Sequence, residues 1–105
     1  MSLIFRRFKP IEGHERYGVN AKGEVINFKT NRILKPDDVN GYFRVTIDGE
    51  KKYIHKLVAE AFVPNPNGYI YILHRDYNNL NNEFTNLVWA TKSDIHRPHG
   101  RPVSL

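Results

Sequence analysis

A histidine, His74, opens the polar stretch His74-Arg75-Asp76-Tyr77-Asn78-Asn79-Leu80-Asn81-Asn82, and a further asparagine, Asn86, follows twelve residues after it. An imidazole titrates near neutral pH, so His74 could take a proton from water. Hydrolysis of a phosphodiester needs such a base, a divalent cation against the charge on the phosphate, and cationic groups to seat the backbone. Arg75 stands beside the histidine for the last of these tasks. A structural alternative exists for the same residues. A hairpin histidine can simply bond its own loop, Asp76 can brace that loop through backbone N–H groups, and asparagines such as Asn78, Asn79, Asn81 and Asn82 are ordinary turn formers.

The elements that must position these side chains can be read from periodicity. Short strands are expected at Tyr17 to Asn20, Glu24 to Phe28, Arg32 to Leu34, Tyr42 to Ile47 and Lys52 to Ile54, with Ala21-Lys22-Gly23 and Asp48-Gly49 as turns. In Tyr42 to Ile47, Phe43, Val45 and Ile47 alternate with Tyr42, Arg44 and Thr46, the period of a half-buried strand. From His55 to Phe62, Leu57, Val58, Ala61 and Phe62 fall on one face of a short amphipathic helix, which Pro64 and Pro66 stop. Two apolar runs, Tyr69 to Leu73 and Leu87 to Ala90, then flank the polar loop as a hairpin. His74 would end the first strand and face the start of its partner, where Asn86 sits. Loops of this length in a small domain tend to carry function. Trp89 is expected in the core, locking the hairpin onto the domain.

Composition narrows the classes. The 105 residues suit one compact domain, and the absence of cysteine excludes disulfides, cysteine-ligated zinc and a thiol nucleophile. Sixteen Lys and Arg against eleven Asp and Glu give a net charge of +5. Residues 1–56 hold twelve basic and seven acidic side chains, whereas 57–105 hold four of each, so the surplus lies in the first half. A polyanion such as duplex DNA would be attracted there, with Arg44, Lys51, Lys52 and Lys56 as candidate contacts beside Arg75; a lysine-rich solvated surface is the alternative. No Walker loop, Rossmann glycine pattern or Gly-x-Ser-x-Gly elbow is present. Neither a signal peptide nor a membrane-length apolar stretch is seen, so a cytoplasmic location, in whatever cell makes the chain, is expected.

The segment from His74 to Asn82, followed by Asn86-Leu87-Val88-Trp89-Ala90-Thr91, resembles the HNH motif of phage homing endonucleases. Arg16-Tyr17-Gly18-Val19-Asn20, Gly23-Glu24-Val25, Arg32-Ile33-Leu34-Lys35, Gly41-Tyr42 and Tyr53 to Phe62 look like the module that commonly accompanies it, and the resemblance covers roughly residues 11–95. It implies a metal-dependent DNA endonuclease with His74 as general base, Asn86 fixing the loop and orienting the ring, and Asp76 and Asn82 as structural loop residues. The chain departs from the family pattern at Leu73, where members commonly carry a metal-binding Asp or Asn. Asp94 is the nearest counterpart of the last family ligand, for Mg²⁺ or alternatively Mn²⁺; a helix-capping role is its alternative. Pro98 would shorten the final helix, and His96 and His99 could serve a softer metal. His55 is expected to cap or pack, and His14 to lie in a loop.

The fold implied is α+β, a small antiparallel sheet with a short helix leading into a ββα-metal hairpin and helix. Residues 1–62 would form the basic strand-rich module and residues 63–105 the HNH motif, within one compact domain. Two other readings are compatible with the same residues: a degenerate HNH module that binds DNA without cutting it, and a phage-type protein-interaction module. Monomer and homodimer both stay open, as do the target sequence and the choice between nicking and double-strand cleavage.

Overall fold

The computed structural model describes residues 8–95, and His96, Pro98 and His99 lie outside them. Three small antiparallel sheets surround one helix. The first sheet has four strands in sequential order: β1 (Lys9–Ile11), β2 (His14–Val19), β3 (Val25–Asn27) and β4 (Arg32–Ile33). The second comprises β5 (Asp37–Val39), β6 (Tyr42–Ile47) and β7 (Glu50–Tyr53). Helix α1 (Ile54–Phe62) follows β7 without a break, and the hairpin of β8 (Tyr71–His74) and β9 (Leu87–Ala90) leads into α2 (Lys92–Ile95). Among the described residues, no helix is long and apolar enough to cross a membrane.

The turns of the second sheet follow from their residues. Asn40-Gly41 and Asp48-Gly49 all take positive φ, at 55°, 85°, 50° and 80°. Paired left-handed residues twist a two-residue turn to match its strands, and Asn-Gly and Asp-Gly tolerate that conformation best. Strand β6 alternates as expected: Val45 and Ile47 are buried, while Thr46 is exposed and Arg44 half-buried. Its partners align Arg44 with Asp37 on one side and with Tyr53 on the other.

One core joins all these parts. Ile11, Val19 and Val25 from the first sheet meet Val45 and Ile47 from the second, Ile54, Leu57, Val58 and Ala59 from α1, and Leu87 from the hairpin. The helix thus buries a wider face than Leu57, Val58, Ala61 and Phe62 alone, since Ala61 and Phe62 are only half-buried. Its end is fixed by Val63, whose N–H donates to Ala59 O at 3.0 Å and whose carbonyl accepts the Trp89 indole N–H at 2.9 Å. That last bond pins the hairpin to the helix and satisfies the one polar group of the tryptophan.

Sequence reasoning missed two strands. β1 contains Pro10 and sits on a sheet edge, and β5 reads Asp-Asp-Val, so neither shows an apolar alternation. The other boundaries shift by a residue or a few. β8 runs one residue further than the apolar stretch, so His74 is part of the strand and pairs with Leu87. His14, expected in a loop, opens β2, with its Nδ1 2.9 Å from Asp48 Oδ2.

His55 is packed rather than capped. Its ring lies 5.4 Å from Tyr42, 5.6 Å from Tyr53 and 5.3 Å from His74 between centroids, and its Nδ1 is buried without a hydrogen-bond partner. Burial lowers its pKa from the ordinary 6.5 to about 4, with smaller contributions from His74 and Lys56. The unfolded chain would take this proton near 6.5 and the folded protein only near 4. In that window the unfolded state binds more protons, so stability is complete above 6.5 and is lost as pH falls towards 4. Urea midpoints at pH 7 and pH 5 should therefore differ, and His55→Phe should reduce the difference; an unchanged gap in the variant would refute the assignment. Leu87→Ala, at a position only 2% exposed, should cost about 2–5 kcal/mol while leaving a single unfolding transition in the fluorescence of the lone Trp89. Two separate transitions would show that hairpin and sheets do not share a core.

Candidate active site

Residues 75–86, the loop between β8 and β9, have little core of their own and are held by side-chain amides instead. Asp76 is the centre. Its Oδ1 accepts the Asn78 N–H at 2.8 Å and the Asn86 amide at 2.9 Å, and its Oδ2 accepts the Asn81 amide at 2.9 Å. These bonds, that from Asn81 foremost, keep its carboxyl below the ordinary range and therefore charged. Asn86 returns the bond, its Oδ1 accepting the Asp76 N–H at 3.1 Å, and its amide also donates to Asn81 O at 2.8 Å. The Arg75 N–H donates to Asn86 O at 2.8 Å, closing the loop beyond the last strand pair.

The N-terminal sheet braces this loop from outside. Asn20 Oδ1 accepts the N–H groups of Lys22 and Glu24 at 3.1 and 2.8 Å, shaping the turn between β2 and β3. From that turn Ala21 O accepts the Phe84 N–H at 2.8 Å. Gly23, at φ +94°, approaches so closely that a Cβ there would stand 3.0 Å from Asn82 Cβ. A glycine suits both the conformation and the contact.

His74 is 5% exposed, and its Nε2 lies 2.9 Å from Asn82 Oδ1. An amide oxygen only accepts, so in this arrangement Nε2 carries the proton and Nδ1 keeps its lone pair. Among the described residues, the buried side-chain nitrogens and oxygens lacking a partner are Arg44 Nε and His55 Nδ1. His74 lines a cleft of about 640 Å³ whose walls also include Tyr42, His55, Lys56, Leu73 and Tyr77. Two of these residues, Tyr42 and His55, also lie against the His74 ring, at centroid distances of 6.2 and 5.3 Å.

The structure differs from the sequence expectation on which amide meets the imidazole. Asn82 bonds the ring, whereas Asn86 is committed to Asp76 and Asn81. The reason is register: His74 is paired with Leu87, so the residue before Leu87 turns into the loop and closes it, while Asn82 is carried back over the strand end. Tyr42 and His55 also escaped sequence reasoning as neighbours of His74. They come from β6 and α1, and no spacing along the chain signals that the second sheet places them there.

The cations fall into groups. Lys56 is exposed and lines the His74 cleft; Arg75 is exposed beside it in sequence. Arg44 lies on the same strand face as Tyr42, with its Nε buried and unpartnered. Lys51 is exposed, and Lys52 pairs with Glu50 at 3.1 Å, which offsets part of its charge. Asp94 forms a reciprocal cap with Thr91: its Oδ2 accepts the Thr91 N–H at 3.0 Å, and its own N–H donates to Thr91 Oγ1 at 3.2 Å. Helix α2 packs on β8 and β9. Among the described residues, no three His, Asp or Glu side chains converge as a metal cage. With Leu73 beside the histidine and Asp76 saturated by donors, the donor set fits only a hard cation that takes most of its shell from water and phosphate.

Comparison with known proteins places this geometry. The chain is similar to an HNH endonuclease of Acanthamoeba polyphaga mimivirus, with 39% identity over 78% of this chain and 26% of that protein. DNA endonuclease I-HmuI of Bacillus phage SP01 is 36% identical over 81% of this chain and 52% of its own length. H-N-H endonuclease F-TflII of Escherichia phage T5 is 34% identical over 90% and 52%. The chain thus spans about a quarter of the first and about half of the two phage relatives. A solved structure described as DNA binding and cleavage by the HNH homing endonuclease I-HmuI superposes with a TM-score of 0.70 at 35% identity, covering 82% of this chain and 53% of that one. The chain carries an HNH endonuclease domain, matched over residues 52–97, preceded by a NUMOD4 motif, matched over residues 7–48.

Proposed function

We propose that the chain hydrolyses phosphodiester bonds of duplex DNA, nicking or cutting it, with His74 as general base. One observation carries the reading: an imidazole anchored through Nε2 by Asn82, which leaves Nδ1 as its basic nitrogen, lines a cleft together with Lys56. A water in that cleft would pass its proton to Nδ1 as its oxygen attacks phosphorus, and an ester oxygen would leave on the far side. Asn82 keeps the ring in the basic tautomer, and Asn86 with Asp76 keeps the loop from drifting. Arg75, Arg44, Lys51, Lys52 and Lys56 seat the phosphate backbone without reading its sequence. HNH endonucleases generally use a divalent metal. Here Mg²⁺, with Mn²⁺ as a substitute, would be held by Asp94 together with phosphate oxygens and waters, and would neutralise charge on the phosphate. Residues 1–62 would supply most of the cationic surface and residues 63–105 the base, over one shared core.

A second reading, binding without cleavage, is favoured by Leu73 and by the absence of a three-ligand cluster among the described residues. Plasmid assays separate the two. Nicking should appear with Mg²⁺ or Mn²⁺, vanish with chelator, and fall by roughly 10² to 10⁴ in His74→Ala. Salt-dependent binding with no product under either metal would favour the second reading. Duplex affinity measured across a salt series should also show its log-log slope reduced by roughly 0.9 for each phosphate contact removed by Arg75→Ala or Lys56→Ala. Slopes equal to wild type would remove those residues from the DNA interface.

A further inference from the structure

Among the described residues, four non-glycine positions have positive φ: Asn31, Asn40, Asp48 and Tyr77. The first three are the residue types that tolerate the left-handed region, and each sits in a turn where a short polar side chain suffices. Tyr77, at φ 62°, is not such a type, so its conformation opposes folding where a glycine or asparagine would not. Nor does its ring repay this by burial, for the residue is 51% exposed. Its backbone is nevertheless held firmly. The Tyr77 N–H donates to His74 O at 3.0 Å, and Asp76 bonds Asn78 on the other side. The ring lines the same cleft as His74 and Lys56. Strain, exposure and a fixed position thus meet on one aromatic side chain beside the imidazole.

We infer that Tyr77 is a DNA contact, its ring lying against the sugar and base of a nucleotide that borders the phosphate addressed by His74. The inference rests on the nuclease reading above and adds a substrate-positioning residue to it. An aromatic face gives a contact that every nucleotide can accept, and it complements cations that engage only the phosphates. The bond from the Tyr77 N–H to His74 O couples the ring's position to that of the base.

The test uses the full chain with Tyr77→Gly and Tyr77→Phe, binding short mixed-sequence duplexes in the presence of chelator, with thermal melting of each protein alongside. Tyr77→Gly should weaken binding about tenfold while melting no lower than wild type, and Tyr77→Phe should bind close to wild type. Unchanged affinity in Tyr77→Gly overturns the inference, and so does an affinity loss that comes with a lower melting temperature, which marks a folding role. If wild type cuts and binds DNA but Tyr77→Gly behaves identically, only this inference fails. If wild type does not bind duplex at all, the nuclease reading fails and takes this one with it.

Discussion

The carboxylate of Asp76 is the constraint on which the rest of the site depends. Twelve residues separate His74 from Leu87, and a polar loop of that length cannot be ordered by burial. One charged group with three donors around it does the ordering, since bonds to an ionised acceptor are about twice as strong as neutral ones. Asn78, Asn81 and Asn86 converge on it, and once they do so Asn82 is delivered to the ring of His74. The imidazole is therefore set by the loop, and the loop by a negative charge that does not itself touch the ring.

Orientation and electrostatics of the histidine have separate sources. The Asn82 bond decides which nitrogen keeps its lone pair, whereas Tyr42 and His55 decide where the ring can lie. His55 stays neutral well below physiological pH because it is buried, so the second imidazole places no cation against the first. Lys51, Lys56 and Arg75 are exposed, where solvent screens their charge.

Much of this was legible in the sequence. The alternation of β6, the helix before Pro64, the hairpin and His74 at its corner all follow from local periodicity and turn chemistry. Asn40-Gly41 shows where reading failed, because it is a strong hairpin signal whose partner strand, Asp37–Val39, has no apolar alternation to confirm it. The choice between Asn82 and Asn86 as the ring's partner was not legible either. It turns on whether His74 stands opposite Asn86 or opposite Leu87, a difference of one position in register that spacing alone does not resolve. Resemblance to the HNH motif drew attention to Asn86, and local hydrogen bonding shows Asn86 closing the loop beside Asp76. Asp94 was balanced between helix cap and metal ligand; the cap is formed, with Thr91 as its partner.

The contact of Gly23 with Asn82 and the bond from Phe84 to Ala21 cross between the two sequence motifs. Modules that can be told apart by homology are here joined by direct contact, since the floor under the histidine's anchoring amide is a turn of the N-terminal sheet. A recombination event that carried only the C-terminal motif to a new host protein would leave that floor behind. Inheritance of the pair together is then a mechanical requirement of the site, whatever else the N-terminal motif contributes.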